Sequence, residues 1–336
     1  MQGLFFRAIV AAVALSALPS FGQEKGIHHR LLLEDESRSR MHYVDTSDPA
    51  KHWEIVFPAR YRDYQLIGQN RLLMNNLSGY SEYDLNSRKL LKEFKDPRFA
   101  GTQSARRLPD GRTLLGCNAV LDPKKDPKKS GIKFFELDKD DKLLRTAVFP
   151  ELDTLRLFRL SQKGNLLFGS HDKVVEADLD GHVIRQFRVE GGKHMYQVLE
   201  RPDGHLLAAG GYGAFVVELD PQGKVVRKWG GLPPLDKLGA AVSKAEPPGP
   251  KDMGYHFFAG FQVLKNGHLV VTNWTGHGAN DSVKGHQVLE FDADGNLLWS
   301  WHDPALAGTI HGVIVLDDLD TARFNDDTSG VLGPAR

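Results

Sequence analysis

The chain has one cysteine in 336 residues, Cys117. A lone thiol excludes any disulfide within the chain, so packing rather than covalent staples must hold the fold. Net charge is also absent, with 43 Lys and Arg against 43 Asp and Glu. That balance removes the basic surplus on which binding to nucleic acid or an anionic membrane surface draws. No stretch keeps a helical apolar period, and beyond the N-terminal segment there is no long apolar run. What fills the chain instead is short apolar segments punctuated by 34 glycines.

The one apolar run, AIVAAVALSAL, follows Arg7 and precedes PSFG. It is shorter than the ~20 residues of a bilayer-spanning helix. A basic start, an apolar middle and small residues Ser20 and Gly22 at the cleavage positions match a signal peptide over residues 1–22. The expectation is a secreted or periplasmic protein whose mature part, residues 23–336, lacks a transmembrane segment and forms one domain. Nucleic acid is excluded as a partner by the charge balance; a small molecule, a carbohydrate or a protein is expected, with the chain itself a monomer.

Five stretches repeat one pattern of four short segments, beginning at Tyr64, Ser104, Leu157, Gln197 and Phe261. Each has an apolar segment, a turn with Gly or Asn, a second apolar segment, a variable loop, a strand ending near Asp, a turn and a last strand. Self-similarity at about 40 residues with four strands per unit predicts a β-propeller of four-stranded antiparallel blades. The turns carry DG, NG, KG or QG, as tight hairpins require. Three segments at the N-terminus (HRLLLEDES, RMHYVDTSDP, KHWEIVFP) lack a first strand, and IHGVIVLDDLD from Ile310 lacks successors. Joined, they make a sixth blade, with Asp45 at the strand-ending Asp and Trp53 where Trp229 and Trp301 close theirs. The expected fold is an all-β, six-bladed propeller closed by a C-terminal strand on N-terminal strands.

The units ELDPQGKVVRKW and EFDADGNLLWSW resemble the repeats of PQQ-like and NHL-like bacterial propellers, including arylsulfotransferase-type members with D-x-x-G-x-x-x-W-x-W endings. The resemblance implies the fold and carries no activity. Quinoprotein dehydrogenases of that superfamily bear a vicinal cysteine pair, which one cysteine cannot supply, so PQQ is not expected as a cofactor.

With strands A to D counted outward from the axis, B–C and D–A connections open on one face and A–B and C–D turns on the other. The long insertions all fall on the first face: NAVLDPKKDPKKSG from Asn118, NWTGHGANDSVKG from Asn273 and the Pro-rich connector from Leu232 to Pro250. Long loops gathered on a rigid scaffold point to function. The connector is expected either as a lid over the axial channel or as a solvated linker. The four lysines of DPKKDPKK are either an anion-attracting patch or a solvated loop.

Three histidines, His194, His256 and His311, precede or open the innermost strands of consecutive blades. Converging imidazoles would suit a divalent transition metal; one of them could instead be a base or nucleophile, or all three could be polar strand-entry residues. His171 and His277 lie on the same face. Tyr80, Tyr196, Phe258, Tyr212 and Trp274 add aromatic surface beside Asn75, Asn76, Asn118 and Asn273, as a sugar or flat polar ligand would need. Arg62 and Arg156, near strand starts, could hold a carboxylate or sulfate, or pair with neighbouring acids. Cys117 ends a strand and is read as a small buried hydrophobe. The expected function is ligand or partner binding on the B–C/D–A face. The alternative is a metal-assisted hydrolase, lyase or group transferase at an axial histidine site.

Overall fold

The computed structural model describes residues 26–122, 126–231 and 253–335. The expected leader, the Leu232–Pro250 connector, and Lys124 and Lys125 of the lysine-rich insertion lie outside the described residues. Six four-stranded antiparallel sheets make six blades. Blade 1 comprises Tyr64–Leu66, Arg71–Asn76, Gly79–Asp84 and Leu90–Lys95. In blade 6, the innermost strand Ile310–Val315 pairs antiparallel with Arg30–Asp35, and Arg40–Asp45 and Trp53–Val56 follow outward. The ring therefore closes by joining the two ends of the chain, as the incomplete terminal units imply.

The cores lie between blades. Period-two alternation along Arg30–Asp35 sends Leu31 and Leu33 toward Val270, Val288 and Trp299 of blade 5, and Leu32 toward Tyr64, Leu72 and Met74 of blade 1. Glutamines on or just ahead of innermost strands tie neighbouring blades together. Gln197 donates to Phe261 O (3.0 Å) and accepts from Phe261 N (3.1 Å), and Gln262 does the same to Val315. The repeated strand-ending Asp is a turn former. Asp178 Oδ1 accepts from the backbone N of Asp180 and His182 at 2.9 and 2.8 Å, and Asp292 Oδ1 from Asp294 and Asn296 at 2.9 and 2.8 Å. In these turns Gly181 and Gly295 take φ of +95° and +94°, which favours glycine.

One feature differs from the sequence expectation and a second lies beyond it. The lysine-rich insertion in blade 2 is not a loop: strands Thr113–Asp122 and Asp126–Leu137 run through it as a lengthened hairpin, paired as far as Asp122 with Asp126. Extending the ladder satisfies backbone groups that a loop would leave to water, and Lys128 and Lys129 are exposed along it. The second is the C-terminal tail, which runs across the A–B turn face. It contacts blade 1 (Gln69 N to Ala322 O, 2.8 Å), enters the axis at Asp327 and packs Gly330 beside Glu200 and Arg201 of blade 4.

His29, just ahead of blade 6, adds a second tie between the chain ends. It is buried between Asp317 (Nδ1 to Oδ2, 2.6 Å) and Glu290 (Nε2 to Oε2, 2.9 Å). Burial opposes charging of the ring, but the two carboxylates outweigh it and raise the pKa from 6.5 to about 9. A base with a raised folded pKa stabilises fully below its unfolded value, and that stabilisation is lost as pH climbs through the folded one. About 3 kcal/mol of unfolding free energy is therefore expected to disappear between pH 6.5 and 9. Urea titrations across that window check it; a His29→Gln protein with the same pH slope as the parent would refute the assignment.

Candidate functional site

The site lies at the axis, on the face of the B–C and D–A connections, and blade 6 supplies its centre. Glu34 and Glu36 continue on Leu32's side of the alternation, and both are fully buried. Trp274 Nε1 donates to Glu36 Oε2 at 3.0 Å, and His277 Nδ1 lies 3.0 Å from the same oxygen. Arg62 and Arg60 approach Glu36 Oε1 at 3.7 and 3.9 Å. Neither oxygen of Glu34 has a hydrogen-bond partner. Burial, with Glu36 and Asp35 nearby, pushes the Glu34 carboxyl well above the usual range.

His311 is brought in by a slip of register. Gly312 faces Glu34 while Ile310 faces Asp35, so His311 is an extra residue on the innermost strand. Such bulges re-aim a side chain. The His311 ring stacks between Tyr196 and Trp274, at centroid distances of 5.4 and 5.2 Å. Its Nδ1 is buried without a partner, 4.0 Å from one oxygen each of Glu34 and Glu36. Burial, reinforced by Arg62 and Arg156, holds the imidazole well below its ordinary pKa, so it is a neutral base at pH 7. The Tyr196 hydroxyl is likewise buried and unpartnered, and its electrostatic neighbours are Arg62, Glu34, Arg156 and Glu36.

Above these lies an aromatic wall. Tyr212, partly exposed, sits 4.8 Å from Phe257, 5.6 Å from His194, 5.7 Å from His256 and 6.4 Å from Trp274. Arg156 places Nη2 3.4 Å from His194 Nδ1 and makes no ion pair among the described residues. Burial and the Arg62 charge lower its pKa.

Of the residues picked from sequence, Arg62, Arg156, Tyr196, Tyr212, Trp274, His277 and His311 meet at this mouth. His171 stays at the exposed rim, bonded to Asp153 at 2.5 Å. Tyr80 is buried between blades 1 and 2, where its hydroxyl accepts from Lys92 and donates to Asp141. Asn118 uses its amide on the backbone of Leu155, donating to O at 3.1 Å and accepting from N at 2.8 Å. Asn75 and Asn273 likewise grip incoming innermost strands.

The three histidines, for which a shared metal was one of three readings, reach the same mouth without forming a common ligand set among the described residues. His194 faces Arg156, His256 Nδ1 lies 3.1 Å from Trp274 O, and Tyr212 stands beside both rings. Among the described residues, the only group of three acids or histidines with ligand atoms within 4.8 Å is Asp203, His205 and Glu218, at the A–B turn of blade 4. It belongs to a structural repeat in which a buried C-strand glutamate meets polar or basic neighbours. Glu136 pairs with Arg145 (2.8 Å), Glu176 with Asn165 (2.7 Å) and Glu290 with His268 (2.8 Å).

Solved structures share this architecture. A protein of unknown function from Bacteroides caccae matches with a TM-score of 0.64 at 20% identity, over 85% of this chain and 98% of that one. A streptogramin B lyase matches with a TM-score of 0.52 at 12% identity, over 85% and 89%. The calcium-binding protein regucalcin from Agrobacterium tumefaciens matches with a TM-score of 0.50 at 12% identity, over 73% and 81%. At such identities the likeness is one of fold. No protein-family model and no curated protein sequence matches the chain.

Glu34, Glu36, Arg60 and Phe257 were not singled out from sequence. The usable signal was the run Glu34-Asp35-Glu36 at the end of an apolar strand, three carboxylates where burial begins.

Proposed function

We propose that this protein, acting outside the cytoplasm, binds a small polar ligand at the axial mouth of the B–C/D–A face. One observation carries the reading: the Tyr196 hydroxyl, His311 Nδ1 and both Glu34 oxygens are buried, unpartnered and gathered at one place. Each such group left unpaired costs about 1–3 kcal/mol, a cost that a ligand's own polar atoms would offset. Partly exposed Tyr212 gives the same mouth an apolar wall, the usual pairing in small-molecule sites. A carbohydrate fits this description; a protein partner would have to bring a polar side chain to these buried groups.

Thermal-shift screening of the purified chain against sugars, carboxylates and amides is the direct test. A stabilising compound whose effect shrinks at least tenfold in concentration dependence in Tyr196→Phe or Tyr212→Ala supports the reading. Stabilisation that both variants retain in full would place the ligand elsewhere.

An enzyme is the second reading, favoured by one specific pairing. Burial holds the His311 imidazole below its ordinary pKa and the Glu34 carboxyl above its own, so a group disposed to act as a base and one disposed to act as an acid stand 4.0 Å apart. A hydrolase, lyase or group transferase could use both, and a lyase is among the proteins sharing the fold. His311→Gln separates the readings: retained binding with lost turnover marks an enzyme, and a ligand recovered unchanged from the parent protein marks a binding protein.

A further inference from the structure

Among the described residues, the cations at the mouth outnumber the acids that face them. Arg60 and Arg62 share the single carboxylate of Glu36, at 3.9 and 3.7 Å. Arg156 has only a histidine nitrogen and makes no ion pair among the described residues. Lys193 adds a fourth positive charge, 5.7 Å from the centre of the Tyr212 ring. The remaining titratable neighbours do not restore balance. His277 is already bonded to Glu36, and Asp153 is turned to His171 at the rim. Glu34, buried behind with both oxygens unpartnered, is the group whose surroundings favour its neutral form. Two partly buried guanidinium groups that repel one another need a compensating charge, and among the described residues only the Glu36 carboxylate faces them.

We propose that the ligand is an organic anion, its carboxylate clasped between Arg156 and Arg62 and its flat apolar body laid against Tyr212, with Tyr196 and His311 meeting its remaining polar atoms. This rests on the axial mouth being a ligand site. The planar fork of a guanidinium matches a carboxylate in two parallel hydrogen bonds, which a rounder ammonium cannot do. Arg62 is already oriented, since its Nη1 donates to Gln103 Oε1 at 2.9 Å while its Nη2 stands 3.7 Å from Glu36, too far for a strong hydrogen bond. The exposed Tyr212 ring, braced from behind by Phe257, sets the apolar part beside the charge.

Isothermal titration of the full chain at low salt tests it with benzoate, phenylacetate and 2-naphthoate, each set against its own carboxamide. At least one acid is expected to bind while its amide does not, with binding weakened by added salt. Arg156→Gln is expected to lower that affinity about ten- to a hundredfold, the worth of a charge-assisted bond. Arg156→Lys, which keeps charge and loses the fork, should recover only part. Melting temperatures of both variants near the parent's show that folding is intact. Inorganic sulfate, run alongside, separates carboxylate recognition from bare anion attraction: equal binding of sulfate overturns the carboxylate. Amides that bind as tightly as their acids overturn the anion clasp while leaving the mouth a ligand site. If neither series binds, the aryl carboxylate falls, and the wider screen for polar ligands decides the mouth separately.

Discussion

A chain truncated before Ile310 is expected to be insoluble or to lack a cooperative melt. The strand removed, Ile310–Val315, lies wholly in the core, with Ile310, Val313, Ile314 and Val315 at most 6% exposed. Burying a large aliphatic side chain is worth roughly 1.5–3 kcal/mol, so four of them rival the 5–15 kcal/mol that holds a whole domain together. The loss extends further. Leu31, Leu32 and Leu33 would line an open sheet edge, with the backbone of Arg30–Asp35 unpaired on that side. Gln262 would lose both of its bonds to Val315, and His29 its bond to Asp317. Circular dichroism and a thermal melt of the truncated chain check this, with a permuted chain, in which Ile310–Arg336 precedes residue 26, as the control. A truncate with a sharp melt within a few degrees of the parent would show that the ring does not depend on closure.

The blade count and this closure are legible in the sequence because they rest on periodic constraints. The turn-forming Asp, the closing Trp and the apolar segments recur at fixed offsets, so Asp45 and Trp53 announce a sixth blade even with its first strand some 260 residues away. The site obeys no period. Glu34 and Glu36 become its floor only because strand alternation carries them to Leu32's side, and His311 enters because one register slip rotates it inward. A one-residue slip leaves no trace in composition. Arg62, Arg156 and Tyr196 were readable as candidates near the starts of innermost strands, and Tyr212 and Trp274 as aromatics at B–C loops, and all five come to the mouth. Asn118 has the same loop-end position and polarity, but its amide is bonded to the Leu155 backbone, a use that sequence cannot distinguish from ligand binding. The lysine-rich hairpin was misread as a loop because polar strands that extend beyond the body of a blade show no apolar alternation to reveal them.

The tail shows most plainly what the repeat conceals, and Asp327→Ala is expected to cost about 3–5 kcal/mol of stability. Asp327 reaches the axis below the site and answers two buried guanidinium groups: Arg159 Nε at 2.7 Å and Arg106 Nη2 at 3.2 Å. Arg159 also meets Asp63 at 3.1 Å, so two acids and two bases alternate across the axis. Burial and the neighbouring Arg159 charge press the Arg106 pKa down, with Asp327 among the acids opposing them. Without Asp327, Arg159 keeps Asp63, but among the described residues Arg106 is left with only the Tyr64 carbonyl as a bond acceptor, at 3.3 Å. That uncompensated charge is the source of the cost, rather than any lost strength of the pair itself. The paired replacement Arg106→Met with Asp327→Leu should therefore recover most of the loss, since an apolar pair of similar volume replaces a buried ion pair at little cost. Urea unfolding of the parent, single and double variants measures both effects, with unchanged m-values as the sign that the unfolded state is not responsible. An Asp327→Ala protein within about 0.5 kcal/mol of the parent would mean that the tail merely lies against the A–B turn face. A large loss, rescued in the double variant, would make the tail a structural floor of the axial cavity, directly below Arg62 and the mouth where a ligand is proposed to sit.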